Sequence, residues 1–116
     1  MALDPDFEEN SHLFVFYSPN IEKSVQYVSR FEFKNGTIDT SSEKLLLEIP
    51  VQREECCHSA GSLEFDHEGN LLIAIGDDTN PHESSGYSPS DGRPGRKPFD
   101  ARRSSANSQD LRGKIL

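Results

Sequence analysis

The side chains most able to do chemistry lie in residues 54–78, EECCHSAGSLEFDHEGNLLIAIGDD. Cys56 and Cys57, the two cysteines of the chain, are adjacent, and His58 follows them directly. Such a cluster suits a metal site, a redox thiol pair, a catalytic base at the mouth of a strand, or simple packing. Structural zinc sites space their ligands by two or more residues so that the chain can wrap the ion. Adjacent Cys56, Cys57 and His58, with no second cysteine pair, argue against zinc. The packing reading places one cysteine inside and the other outside by strand alternation. A vicinal disulfide is the alternative, and it requires an oxidising compartment. Imidazole titrates near neutrality, so His58, just before Gly61 and a strand, is placed to accept a proton. His12, His67 and His82 fall in polar turns or loops and read as structural. Asp77 and Asp78, near Asn80 and Glu83, offer hard oxygen ligands for Ca²⁺ without EF-hand spacing; turn capping is the plainer reading.

The elements that must position these groups are strands. Short apolar runs and period-two alternation, bounded by turn residues, predict strands at about 2–4, 12–18, 24–33, 44–49, 60–66, 70–76 and 112–116. Asn35-Gly36 supplies a tight turn, so the Asn35-Gly36-Thr37 sequon reads as a bend and not a glycan site. Gly69 closes a second hairpin. No stretch carries twelve residues of helical periodicity. The fold class expected is therefore all-β, with residues 1–50 as one four-stranded unit and 51–116 as most of a second. Residues 78–110 have no apolar rhythm and contain Pro81, Pro89, Pro94 and Pro98; they read as a long inserted loop. Four-stranded units of this length suggest propeller blades, with a seven-stranded sandwich as the other architecture. The closing strand-like LRGKIL leads to the expectation that the sequence is a fragment of a larger β-protein.

Composition narrows the function. The chain has 116 residues, is 33% hydrophobic and carries a net charge of −8. Residues 1–92 hold 5 basic and 18 acidic side chains, whereas 93–116 hold 7 basic and 2 acidic. Pro, Gly and Asp interrupt the basic stretch and only Phe99 is aromatic there, which argues against nucleic acid and for a neutralising or anion-facing loop. Arg102 and Arg103 are placed by this reading at a substrate or cofactor rim, with some guanidinium groups pairing with Asp77 and Asp78. No apolar run is long enough for a transmembrane helix, and the first residues do not form a signal peptide.

MALDPDF, then CCHSAGSLEFDHEGNLLIAIGDD, then DLRGKIL closely resemble the glucose/sorbosone dehydrogenase family, the soluble PQQ-dependent aldose dehydrogenases. The resemblance implies a six-bladed β-propeller that uses PQQ and Ca²⁺, with an aldose and an electron acceptor as partners and a periplasmic or secreted location. It implies that His58 and Gly61 occupy the family's HxxG motif, whose histidine takes a proton from the sugar's anomeric hydroxyl. Cys57 stands where soluble glucose dehydrogenases carry an acidic residue, and Ser62 where many members carry Arg. The main PQQ and Ca²⁺ ligands are expected in other blades. A non-catalytic propeller that binds carbohydrate or protein is the alternative implied by the loss of the acidic residue.

Overall fold

The structure, a computed structural model, describes residues 1–59 and 61–116. Among the described residues seven strands form two sheets: β1 (Ala2–Leu3), β2 (His12–Tyr17), β3 (Val25–Lys34) and β4 (Thr37–Pro50) in sequential order, then β5 (Gly61–Phe65), β6 (Leu71–Ile75) and β7 (Lys114–Ile115) in another. Helix among the described residues is confined to one turn, α1 (Phe7–Asn10), and three short 3-10 turns within residues 84–103. None of the described helices is long and apolar enough to cross a membrane. The chain divides into two compact units, one of Met1–Pro50 with Ser62–Ile73, the other of Val51–Gly61 with Ala74–Leu116.

In the first unit β1 to β4 are antiparallel throughout. Leu13 of β2 faces Phe31 of β3, and Val28 of β3 faces Leu47 of β4. Leu13, Val25, Val28, Phe31, Ile49 and Leu63 are the buried apolar side chains. Phe14 meets Phe65 edge-on at 5.2 Å between ring centres, an arrangement favoured by the aromatic quadrupole. Asn35 and Gly36 take positive φ values of 53° and 80°, making the two-residue bend between Lys34 and Thr37. Consecutive positive φ values match the twist of the flanking strands.

The polar run Thr37–Glu43, which lacks a period-two signal, is nevertheless part of β4. It lies in the strand because pairing continues through irregularities between Val28 and Ser29 and between Arg30 and Glu32. There the Glu32 amide donates to Ser42 Oγ at 2.8 Å instead of to a ladder carbonyl. Ser29 Oγ donates to Glu43 at 2.7 Å, and the Tyr17 hydroxyl donates to the same carboxylate. Bulges re-aim side chains in this way while keeping the strand in the sheet.

β5 and β6 are neighbours joined by the turn Asp66–Asn70. Asp66 closes it, accepting from the amides of Glu68 and Asn70, each at 2.9 Å. The second unit is assembled differently. Its buried side chains include Ile75 and Phe99 but also Asp78, Thr79, Asn80, Ser84, Asp91 and Ser104. This interior is held mainly by hydrogen bonds, which suits the low hydrophobic fraction of the sequence.

Ile49 is fully buried. Ile49→Ala removes its transfer energy and leaves a cavity, so it is expected to cost about 2–5 kcal/mol. Urea unfolding of the parent and variant proteins measures the difference.

Candidate active site

Cys56, Cys57 and His58 lie outside any strand, in the segment that leads to β5. The two cysteines are joined to each other as a disulfide, and the peptide between them is cis. The alternation expected for them is thus corrected. Neither is buried: Cys56 is exposed and Cys57 half-buried.

His58 Nδ1 is 3.0 Å from Asp77 Oδ1. A carboxylate oxygen only accepts, so Nδ1 is the donor, and in the neutral imidazole Nε2 is the nitrogen that keeps its lone pair. The same Asp77 oxygen accepts from the Thr79 amide at 3.1 Å, which fixes the carboxylate. The His58 side chain is 47% exposed and that of Asp77 20%, so the imidazole faces outward while its partner is shielded. Hairpin geometry produces the pair. β5 and β6 have five residues each, so the segment entering β5 returns beside the segment leaving β6. The Asp78 amide donates to the His58 carbonyl at 3.0 Å, one step beyond the side-chain contact. Both residues take positive φ, 49° for His58 and 56° for Asp78, a conformation that non-glycine residues hold only where their surroundings enforce it.

Asp78 supplies that enforcement. It is 1% exposed. Its Oδ2 accepts from the Gln52 amide at 2.7 Å and from Arg112 Nη1 at 2.9 Å. Its carbonyl accepts from Arg103 Nη2 at 3.0 Å. Ser104 Oγ donates to the neighbouring Asp77 carbonyl at 2.8 Å. Gln52 also braces the segment before the disulfide, its Oε1 accepting from the amides of Glu54 and Glu55 at 2.9 and 2.8 Å.

Asp77 and Asp78, expected as candidate calcium ligands, both direct their carboxylates to protein donors in this structure. One carboxylate is taken by His58 and Thr79, the other by Gln52 and Arg112. Among the described residues no three His, Cys, Asp or Glu side chains gather to hold a metal. Arg102 turns to Asp100, with Nε 2.7 Å from Oδ1. Arg103 reaches the carbonyls of Asp78 and Lys97. The ion pair with Asp78 is thus made by Arg112, a residue read from sequence only as part of a strand. Gly61 opens β5.

The long segment is ordered by one local device used three times. In Asp91-Gly-Arg93, Asp100-Ala-Arg102 and Asp110-Leu-Arg112, the arginine donates to the aspartate two residues before it through its amide, Nε and Nη2. The repeated Asp-x-Arg spacing was the available sequence signal for these residues. Arg93 and Arg96 also stack on Tyr87 and Phe99, at 4.1 and 4.2 Å from the ring centres. The forked bonds from Arg93 hold the Asp91 carboxyl far below the usual carboxylate range, and a hydrogen bond from Ser84 assists. Arg112 likewise lowers the Asp110 carboxyl.

Residues 1–107 match the glucose/sorbosone dehydrogenase family model. This chain belongs to that family. The match spans both units and includes the His58–Asp77 pair. Members of this β-propeller family are built from antiparallel sheets, and the chain shows such sheets with little helix.

Arg112→Ala leaves the buried Asp78 carboxylate without its cation. Loss of one partner of a buried pair typically costs about 3–5 kcal/mol, measurable by denaturant unfolding. The Asp91 carboxyl is depressed in the folded state, so its contribution is present above the usual carboxylate range. It is lost as pH falls, because the unfolded chain then binds the proton more readily. Asp91→Asn is therefore expected to lower stability at neutral pH and to flatten its fall below about pH 4. Thermal midpoints followed from neutral to acid pH check both effects.

Proposed function

We propose that this chain carries the proton-accepting residue of a quinone-dependent aldose dehydrogenase. The observation that supports the reading most directly is the hydrogen bond to Asp77 from Nδ1 of His58, the histidine of the HxxG segment. His58 Nε2 accepts the proton of the sugar's anomeric hydroxyl, and loss of that proton makes departure of hydride from the same carbon easier. Asp77 keeps the imidazole in the tautomer that can accept and stabilises the imidazolium that forms. PQQ, when bound, would supply the hydride-accepting chemistry. The described residues of this chain bring together no Ca²⁺ cage, so no step is assigned to calcium here. Cys57 precedes the base in the chain and Gly61 follows it by three residues at the start of β5, and both are proposed for the substrate rim.

The vicinal disulfide favours an oxidising compartment, which supports a periplasmic or secreted location. Residues 1–50 and 51–116 are proposed as successive blades of the propeller, the second carrying the long loop.

In the protein supplied with PQQ, Ca²⁺ and an aldose, His58→Ala is expected to lower kcat by at least ~10²-fold, the scale of losing a general base. Asp77→Asn should lower kcat by a similar or larger factor while leaving KM nearly unchanged. Dye-linked turnover measures both. Undiminished turnover by folded His58→Ala protein would overturn the assignment, and binding of sugar without turnover by the parent would favour a non-catalytic module.

A further inference from the structure

The Cys56–Cys57 disulfide joins neighbouring residues. Cross-links stabilise folds largely by removing loop-closure freedom from the unfolded chain, and the gain grows with the loop enclosed. A ring closed across one peptide encloses no loop and ties no two elements together. Its effect is confined to the backbone from Glu55 to His58.

That short stretch is fastened at both ends to Asp78. On one side, the Glu55 carbonyl accepts from Gln52 Nε2 at 3.0 Å, and the Gln52 amide donates to Asp78 Oδ2 at 2.7 Å. On the other, the His58 carbonyl accepts from the Asp78 amide at 3.0 Å. His58 sits in the left-handed region at φ 49°, which a residue with a side chain leaves unless it is held. Its imidazole must nonetheless meet Asp77 at 3.0 Å. The disulfide removes rotational freedom from the residues immediately before His58, between two anchors that already converge on one residue, Asp78, at its carboxylate and its backbone amide.

We propose that the Cys56–Cys57 disulfide is a positioning element for His58, which holds the imidazole on Asp77 only while the ring is closed. The inference rests on the reading of His58 as the base. Cys56 is exposed, so a small dithiol reaches the bond. A thiolate of the dithiol attacks one cysteine sulfur, the S–S bond breaks, and a mixed disulfide forms. The reagent's second thiol then displaces the remaining cysteine. The two cysteines take up two electrons and two protons, and the reagent leaves as its cyclic disulfide.

The test uses the full protein with ¹⁵N-labelled histidine, before and after treatment with dithiothreitol under anaerobic conditions, the reagent being removed before assay. In the oxidised protein His58 should show one protonated and one bare ring nitrogen, the signature of Nδ1–H on Asp77. Reduction should average the two nitrogens and lower kcat by about 10- to 100-fold, the range for misplacing a catalytic group, with KM changed far less. Reoxidation should restore both readings. The double variant Cys56→Ser, Cys57→Ser should match the reduced protein, ignore dithiothreitol, and keep the parent's circular dichroism and unfolding midpoint. An imidazole signature unchanged by reduction overturns the proposal, as does global unfolding of the double variant. If the protein oxidises no sugar in either state, the dehydrogenase reading fails, and the nitrogen signature alone then decides the positioning role.

Discussion

A buried carboxylate, that of Asp78, carries the second unit. Burying a charge is costly unless it is paired and its remaining lone pairs are hydrogen-bonded. Asp78 meets that demand by drawing Gln52 from one side and Arg112 from the other, while its backbone takes the His58 carbonyl and Arg103. Two stretches distant in sequence, around 52–58 and 103–112, are thereby fixed around one residue. His58 and Asp77 lie directly beside this hub, so the geometry of the pair follows from satisfying a charge and not from apolar packing.

The two units illustrate different solutions to the same shortage of apolar residues. The first concentrates its few large side chains, Leu13, Val28, Phe31 and Ile49, in the middle of a bulged antiparallel sheet. The second accepts a polar interior and satisfies it completely enough to exclude solvent from Thr79, Asn80, Ser84, Asp91 and Ser104. Asn80 shows how closely this is done: its amide donates to the Pro98 carbonyl at 2.8 Å and its side chain to Glu55 at 3.1 Å. The basic character of residues 93–116 is largely answered in place, since Arg93, Arg102 and Arg112 each face a carboxylate of their own.

Sequence patterns expose whatever has a short period. β2, β3 and β6 alternate or run apolar, Asn35-Gly36 demands positive φ, and the hairpin around Gly69 follows from its turn residues; all were legible. Thr37–Glu43 was not, because a bulged edge carries polar side chains whose partners, Ser29 and Tyr17, lie on other strands. The order of residues 78–110 was hidden for a related reason. Its bonds are between polar side chains, and apolar periodicity is silent about those. His58 could be singled out by its chemistry, but its partnership with Asp77 depends on the equal lengths of β5 and β6. Asp77 by itself resembled a metal ligand or a cap.

The Asp-x-Arg forks also bear on the order in which the chain acquires structure. Each joins residues only two apart, so closing one requires almost no loop-closure entropy and no help from distant elements. Contacts of such low order form rapidly. The Asp78–Arg112 bond, by contrast, spans 34 residues. It gains most when the intervening chain has already been shortened by its own forks and 3-10 turns. Contact order therefore leads to the expectation that the forks close early and the bond that seats the hub beside His58 closes late.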